Sequence, residues 1–195
     1  MTERTYVFTR FERLWHWSQA AIICMLLLSG FAIHGSLGGF IDFSTAHRMH
    51  MVFLWLWLGS YVFLLFWLLV TGEIKQYKPT TENVTNLFSY YSSGIFKKEP
   101  HPHQVRRDKK LNALQIISYD MVLFILAPIQ IISGLCYLYY NQFGLSHASL
   151  GIIAAIHTLG AFSFLAFLVI HIYLATTGPK PSSYFKAMFT GYNEH

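Results

Sequence analysis

Charge is what this sequence lacks. Only 12% of its 195 residues are Asp, Glu, Lys or Arg, where a soluble domain carries about a quarter. Cysteine is scarce as well. The two present, Cys24 and Cys136, each sit inside an apolar stretch and read as small packing residues. No Cys-x-x-Cys-His occurs, which excludes a covalently attached c-type haem. No cysteines fall at metal-cluster spacing either, so the chain has no means to hold its own iron–sulfur centre.

The counterpart of missing charge is apolar length. Four stretches, Leu14–Ile33, Met51–Thr71, Leu114–Tyr140 and Leu150–Thr176, are each near or above the roughly 20 residues that cross a hydrocarbon core about 30 Å thick. These predict an all-α membrane protein, a bundle of four transmembrane helices over about 14–33, 47–72, 112–140 and 150–177, forming one domain over residues 1–195. The first stretch is read as a retained helix rather than a signal peptide. It opens on Trp15, His16 and Trp17 and lacks a small-x-small cleavage site.

Of the 14 Lys and Arg residues, all but Arg48 fall in the N-terminal segment, the connection between spans 2 and 3, or the C-terminal tail. The rule that positive loops stay inside puts both termini in the cytoplasm of a bacterial cell, with the chain in the inner membrane. The net charge of +5 is accounted for by this bias, and nucleic-acid binding is not implied. The connection between spans 2 and 3 carries Val84, Leu87, Phe88, Tyr91 and Ile95 at helical spacing, which predicts a short amphipathic helix on the membrane surface. Tyr184, Phe185, Met188 and Phe189 suggest a similar element near the C-terminus. His101 and His103, flanked by Pro100 and Pro102, read as solvated connector residues.

A faint repeat relates the two helical hairpins. Ser29-Gly30 closes span 1 and His50 follows the first outer loop; Ser133-Gly134 lies near the end of span 3 and His157 follows the second. Small residues of this kind let helices approach closely, or leave room for a flat macrocycle.

His16, His47, His50, His157 and His171 lie in or at the ends of the spans, where an ionisable group is costly and usually functional. His157 and His171 are fourteen residues apart on one helix, just under four turns, and so share a face about 21 Å apart along the axis. That spacing suits two haems, one near each side of the membrane. For the inner iron, His16 lies at the depth of His171. For the outer iron, His50 lies at the depth of His157, counted back from Gly72 and Gly178, while His47 is the alternative one turn further out. His47 or Arg48 could otherwise reach a haem propionate. Span 3 has no histidine, and the repeat places Asp120 where span 1 has His16. Two axial imidazoles leave an iron no open position, so such a centre passes single electrons and activates no oxygen. His34 and His147 read as surface residues.

These motifs resemble a known family. Arg13-Leu14-Trp15-His16-Trp17 is similar to the R-x-x-H-W opening of bacterial di-haem cytochrome b subunits, the cytochrome b561-type membrane subunits of thiosulfate reductase, Ni,Fe-hydrogenase and formate dehydrogenase. Ser29-Gly30 and Ser133-Gly134 resemble their [S/T]-G pairs, Arg48-Met49-His50 their second-span ligand, and His157 and His171 their fourth-span ligands. Lys110, Asn112 and Gln115 resemble a K-x-N-x-x-Q motif that, in the formate dehydrogenase members, contributes to menaquinone binding beside the inner haem. The resemblance implies two haem b groups, with His16 and His171 on the inner iron and His50 and His157 on the outer. It implies a quinone, menaquinone or ubiquinone, near Asn112 and Gln115. Asp120, one or two turns deeper, reads as a salt-pairing or packing residue, with proton acceptor as the alternative role. Asn112 is equally a good helix N-cap.

The function expected is electron transfer between the quinone pool and a periplasmic partner within a respiratory complex, with no catalytic residues beyond a quinone site. The partner would be a multihaem cytochrome c, an iron–sulfur subunit of a molybdoenzyme or a hydrogenase subunit, and a homodimer is compatible. The competing expectations are a stand-alone oxidoreductase of the same fold, exchanging electrons between superoxide and quinone, and a haem-free histidine-relay transporter.

Overall fold

The computed structural model describes residues 4–97, 99, 102, 109–178 and 180–194. His101 and His103 lie outside the described residues. Four helical segments are long and apolar enough to span a membrane: Arg10–Ile33 (α1), Phe43–Thr71 (α2), Ala113–Leu138, and His147–Ala175 (α6). Each begins where a side chain caps it rather than where the hydropathy rises. Thr9 and Glu12 cap α1 reciprocally, the Thr9 amide donating to Glu12 Oε2 at 2.8 Å and the Glu12 amide to Thr9 Oγ1 at 3.3 Å. Asp42 accepts from the Thr45 amide at 3.0 Å, which starts α2 four residues before the expected position 47. Ser146 accepts from the Ser149 amide at 3.1 Å and starts α6 at His147. The α2 helix stops at Gly72, whose φ of +72° is the left-handed conformation that a C-terminal stop requires.

The third span is not a uniform helix. Ala113–Asp120 (α4) runs into a wide π-type turn over Met121–Leu126, and regular geometry resumes at Ala127–Leu138 (α5). The cause is Pro128. It has no N–H to give to the carbonyl of Phe124, and its ring crowds that carbonyl, so the preceding turn widens.

The connection after α2 contains a 3₁₀ turn, Glu73–Tyr77, and a short helix, Val84–Ser89 (α3), extended by a π turn over Tyr90–Gly94. The C-terminal element is Ser183–Thr190 (α7). The amphipathic patterns at 84–95 and 184–189 correspond to these two elements. One feature has no counterpart in the sequence analysis: a two-stranded antiparallel ribbon, Arg4–Tyr6 (β1) with Tyr192–Glu194 (β2), pairing Thr5 with Asn193. The amides of Val7 and Phe8 donate to the Gly191 carbonyl at 2.9 and 3.2 Å. Gly191 has φ +88°, and a Cβ there would lie 2.7 Å from the Phe8 carbonyl oxygen, so only glycine closes this corner.

The chain forms two compact units. One comprises residues 1–13, 71–125 and 167–195; the other comprises 14–70 and 126–166. In the second unit, parts of all four spans meet. Leu54, Trp57, Leu64 and Leu68 of α2 are buried, as are Ala127 and Ile131 of α5 and Phe164 of α6. Trp57 lies edge-on to Phe164 at 5.6 Å, and Gln19 of α1 donates to Ser60 of α2 at 2.8 Å. The same helices also carry Val62, Phe66, Leu69, Val70, Ile152 and Leu159, all more than half exposed. In a water-soluble protein such faces would be intolerable. In lipid they cost nothing.

Candidate haem site

Within the second unit, His50 of α2 and His157 of α6 face each other. Their ring centres are 6.4 Å apart and their planes cross at 76°. Each ring is held by the same two-residue device. Ser29 Oγ lies 2.9 Å from His50 Nδ1, and Ser133 Oγ lies 3.0 Å from His157 Nδ1. A serine hydroxyl has one proton, and in both cases a helix carbonyl takes it. Ser29 donates to the Met25 carbonyl at 2.6 Å, and Ser133 to the Gln130 carbonyl at 3.2 Å. Each serine oxygen therefore accepts, each imidazole donates from Nδ1, and each Nε2 keeps its lone pair. That is the tautomer a metal ligand needs, set by a hydrogen bond from the other ring nitrogen.

The adjacent glycines supply clearance. A Cβ on Gly30 would lie 3.4 Å from His50 Cε1, and one on Gly134 would lie 3.0 Å from His157 Cε1. The Ser-Gly pairs thus serve the histidines directly: the serine fixes the ring's protonation and the glycine lets the ring lie against the helix backbone.

The spacing of the rings fits one metal ion between them. An imidazole nitrogen ligates a transition metal at about 2.0–2.1 Å and its ring centre lies about 1.1 Å further back, so two rings on opposite sides of one ion are about 6.3 Å apart. No group of three or more His, Cys, Asp or Glu side chains that could hold an ion converges among the described residues. Two imidazoles alone do not complete a coordination sphere. They suit an ion whose other ligands come from a macrocycle.

The remaining predicted residues are placed as follows. His47 is exposed, one turn before His50 on α2, and stacks on Phe43 at 6.0 Å. Arg48 is exposed and donates to Thr45 Oγ1 at 3.4 Å. His34 and His147 are exposed. His16 belongs to the second unit and lies edge-on to Trp17 at 5.1 Å. His171 belongs to the first unit, stacked on Phe167 at 5.6 Å and tilted against Tyr119 at 6.0 Å.

The first unit also contains the candidate quinone residues. Asn112 is buried and forms a full capping box: the Gln115 amide donates to Asn112 Oδ1 at 2.9 Å, and the Asn112 amide donates to Gln115 Oε1 at 3.0 Å. The Asn112 side-chain amide donates to the Tyr91 hydroxyl at 3.3 Å. Asp120 Oδ1 is buried with no hydrogen-bond partner among the described residues. Sequence reasoning missed the group beside them. Lys110, only 7% exposed, donates to Glu12 Oε1 at 2.6 Å and to Glu73 Oε2 at 3.1 Å. One ammonium thus ties the start of α1, the turn after α2 and the segment before α4. The signal was Lys110's place two residues before an N-cap, beside two acidic residues that flank other spans. Burial of the nearby Tyr77 hydroxyl, with the negative charges of Glu12, Asp120 and Glu73, pushes its pKa up to about 12.

Four candidate membrane spans and a pair of imidazoles with the spacing of two ligands to one metal ion are what a membrane cytochrome of the b type requires. The chain belongs to the prokaryotic cytochrome b561 family, which matches residues 7–191. It is 30% identical over 198 residues to the Escherichia coli (strain K12) protein named "Putative cytochrome YdhU", covering 99% of this chain and 76% of that one. No solved structure gives a significant match. The protein is accordingly a multi-pass protein of the cytoplasmic membrane that binds haem b and transfers electrons.

Proposed function

We propose that the protein is the membrane subunit of a respiratory complex, passing electrons between the quinone pool and a periplasmic redox partner through two haem b groups. His50 and His157 would hold the outer group and His16 and His171 the inner one. The observation that carries this reading is the pair His50–His157, ring centres 6.4 Å apart, each with its Nδ1 held by a serine hydroxyl; the Gln130 amide, 3.3 Å from His157 Nε2, would give way to the iron. Bound there, haem supplies a one-electron Fe(III)/Fe(II) couple. The chain's own residues fix the ring tautomer through Ser29 and Ser133 and provide clearance at Gly30 and Gly134.

The second group rests on spacing. His157 and His171 share one uninterrupted helix, α6, and their fourteen-residue separation puts them about 21 Å apart along it. Quinone exchange is assigned to the Asn112–Gln115 end of α4, where Tyr91 and the Lys110 cluster supply polar groups, with Asp120 at the other end of that helix. The partner would be a multihaem cytochrome c, an iron–sulfur subunit of a molybdoenzyme or a hydrogenase subunit, which would supply the substrate-reducing centre.

A redox-titrated visible spectrum of the purified protein, with and without a quinol analogue, tests the proposal. Two low-spin b-type components, at least one reduced by the quinol, are expected. A single component, or none responding to quinol, would contradict it.

A further inference from the structure

Counted along α6, one residue stands midway between the two histidines of that helix. Phe164 lies seven residues after His157 and seven before His171. Seven residues are close to two turns, so all three share a face, with Phe164 about 10 Å along the axis from each histidine. The interval recurs on α2, where Trp57 lies seven residues after His50. The two side chains meet edge-on, ring centres 5.6 Å apart and planes crossing at 82°. Trp57 is 6% exposed and Phe164 4%. Gly160 and Phe164 are the buried residues of α6, so Phe164 is the one large side chain of that helix that is fully enclosed.

A third helix steadies the contact. Gln19 of α1 donates to Ser60 Oγ at 2.8 Å, and Ser60, one turn from Trp57, donates to the Trp57 carbonyl at 2.9 Å. Gln19 is itself one turn from His16. The ring pair stands about 10 Å along both helices from the His50 and His157 rings, beyond the edge of a macrocycle centred between them. Iron coordination there leaves the pair in place.

We infer that Trp57 and Phe164 form the bridge across which the electron passes between the two haem groups. The inference rests on the ligand reading proposed above. One electron leaves Fe(II) at one level, which becomes Fe(III), and arrives at Fe(III) at the other, which becomes Fe(II). No bond breaks, no proton moves, and the ring pair is neither oxidised nor reduced. Its part is to fill the interval with contacting atoms. Electron tunnelling weakens wherever the matter between two centres is interrupted, and atoms that line a void lose their contacts outright. An edge-to-face aromatic pair supplies dense matter at the midpoint, where an iron at either level is farthest away.

The test uses the purified, haem-loaded protein. Spectroelectrochemical titration first gives the midpoints of the two b components. A laser flash with a surface-bound photoreductant then delivers a limiting supply of electrons, and their redistribution between the components is timed. Phe164→Ala and Trp57→Ala should each slow redistribution by about tenfold, equal to about 1.4 kcal/mol, with both midpoints in place. Unchanged midpoints mean an unchanged driving force, so the slowing reports coupling alone. A residue that served only stability would leave this rate where it was. Phe164→Leu, which fills most of the interval, should run close to the unsubstituted rate. If the alanine variants do not retain both components, Phe164→Val decides by the same criterion. Redistribution at the unsubstituted rate in variants that keep both components would overturn the inference alone, as would Phe164→Leu slowed as much as Phe164→Ala. A single b component in the unsubstituted protein would overturn the ligand reading and this inference with it.

Discussion

Ser133 holds the imidazole of His157 through Nδ1 at 3.0 Å, while its own hydroxyl proton goes to a carbonyl one turn back. Ser29 does the same for His50 at 2.9 Å. Because each ring is fixed by an outer partner, its lone pair is aimed before any ligand arrives. A hydrogen-bond partner on the far nitrogen of a metal-bound histidine is typically worth about 10–100-fold in affinity. Ser29→Ala and Ser133→Ala should therefore each weaken haem retention at the outer pair by about that factor, measured by haem transfer to an acceptor protein. The two substitutions should have effects of similar size.

The glycines predict an order rather than a size. An added Cβ meets His157 Cε1 at 3.0 Å from Gly134 but His50 Cε1 at 3.4 Å from Gly30. Gly134→Ala forces the ring to move, while Gly30→Ala is close to ordinary contact. The low-spin spectrum of the outer component should be more disturbed by the first than by the second.

Much of this was legible in the sequence. The four apolar runs gave the spans, because nothing else explains 20 consecutive uncharged residues. The repeated Ser-Gly pairs, each followed by a histidine on the next span, mark the residues that the structure sets around one ring pair. Hydropathy places the starts of α1, α2 and α6 late because it reports lipid contact, while a helix begins at its cap; the Thr9-x-x-Glu12 capping box, legible in the sequence, starts α1 before the apolar run at Leu14. The widened turn at Met121–Leu126 was signalled by Pro128. The β1–β2 ribbon gave no signal, since three-residue strands carry no measurable periodicity. The meeting of Trp57 with Phe164 was illegible for another reason: it is a contact between spans, and no local pattern encodes it.

Lys110 should be the most damaging single position on the charged face. Removing it leaves Glu12 and Glu73 facing each other without their cation. Lys110→Met is expected to cost about 3 kcal/mol, the lower end for a broken buried pair, because the Glu73 side chain is 32% exposed and water relieves part of the loss. Thermal unfolding in detergent would measure it. Adding Glu12→Gln to that variant should recover part of the stability by removing one of the stranded charges.

Tyr77 predicts an alkaline limit. Its pKa is pushed up to about 12 from 10.0, first by burial and then by Glu12, Asp120 and Glu73. Protonated tyrosine is therefore favoured in the folded state relative to the unfolded one. The stability this contributes is fully present below pH 10 and is lost as pH rises through about 12. Tyr77→Phe should flatten that part of the pH–stability curve, read as melting temperature between pH 9 and 12 (a window about the two pKa values).

The central claim is that His50 and His157 share one iron and that His47 does not. Haem content and the reduced-minus-oxidised spectrum of His47→Ala, His50→Ala and His157→Ala test it most directly. His50→Ala and His157→Ala should lose the same spectral component, while His47→Ala keeps both. Loss of that component in His47→Ala with its retention in His50→Ala would contradict the account.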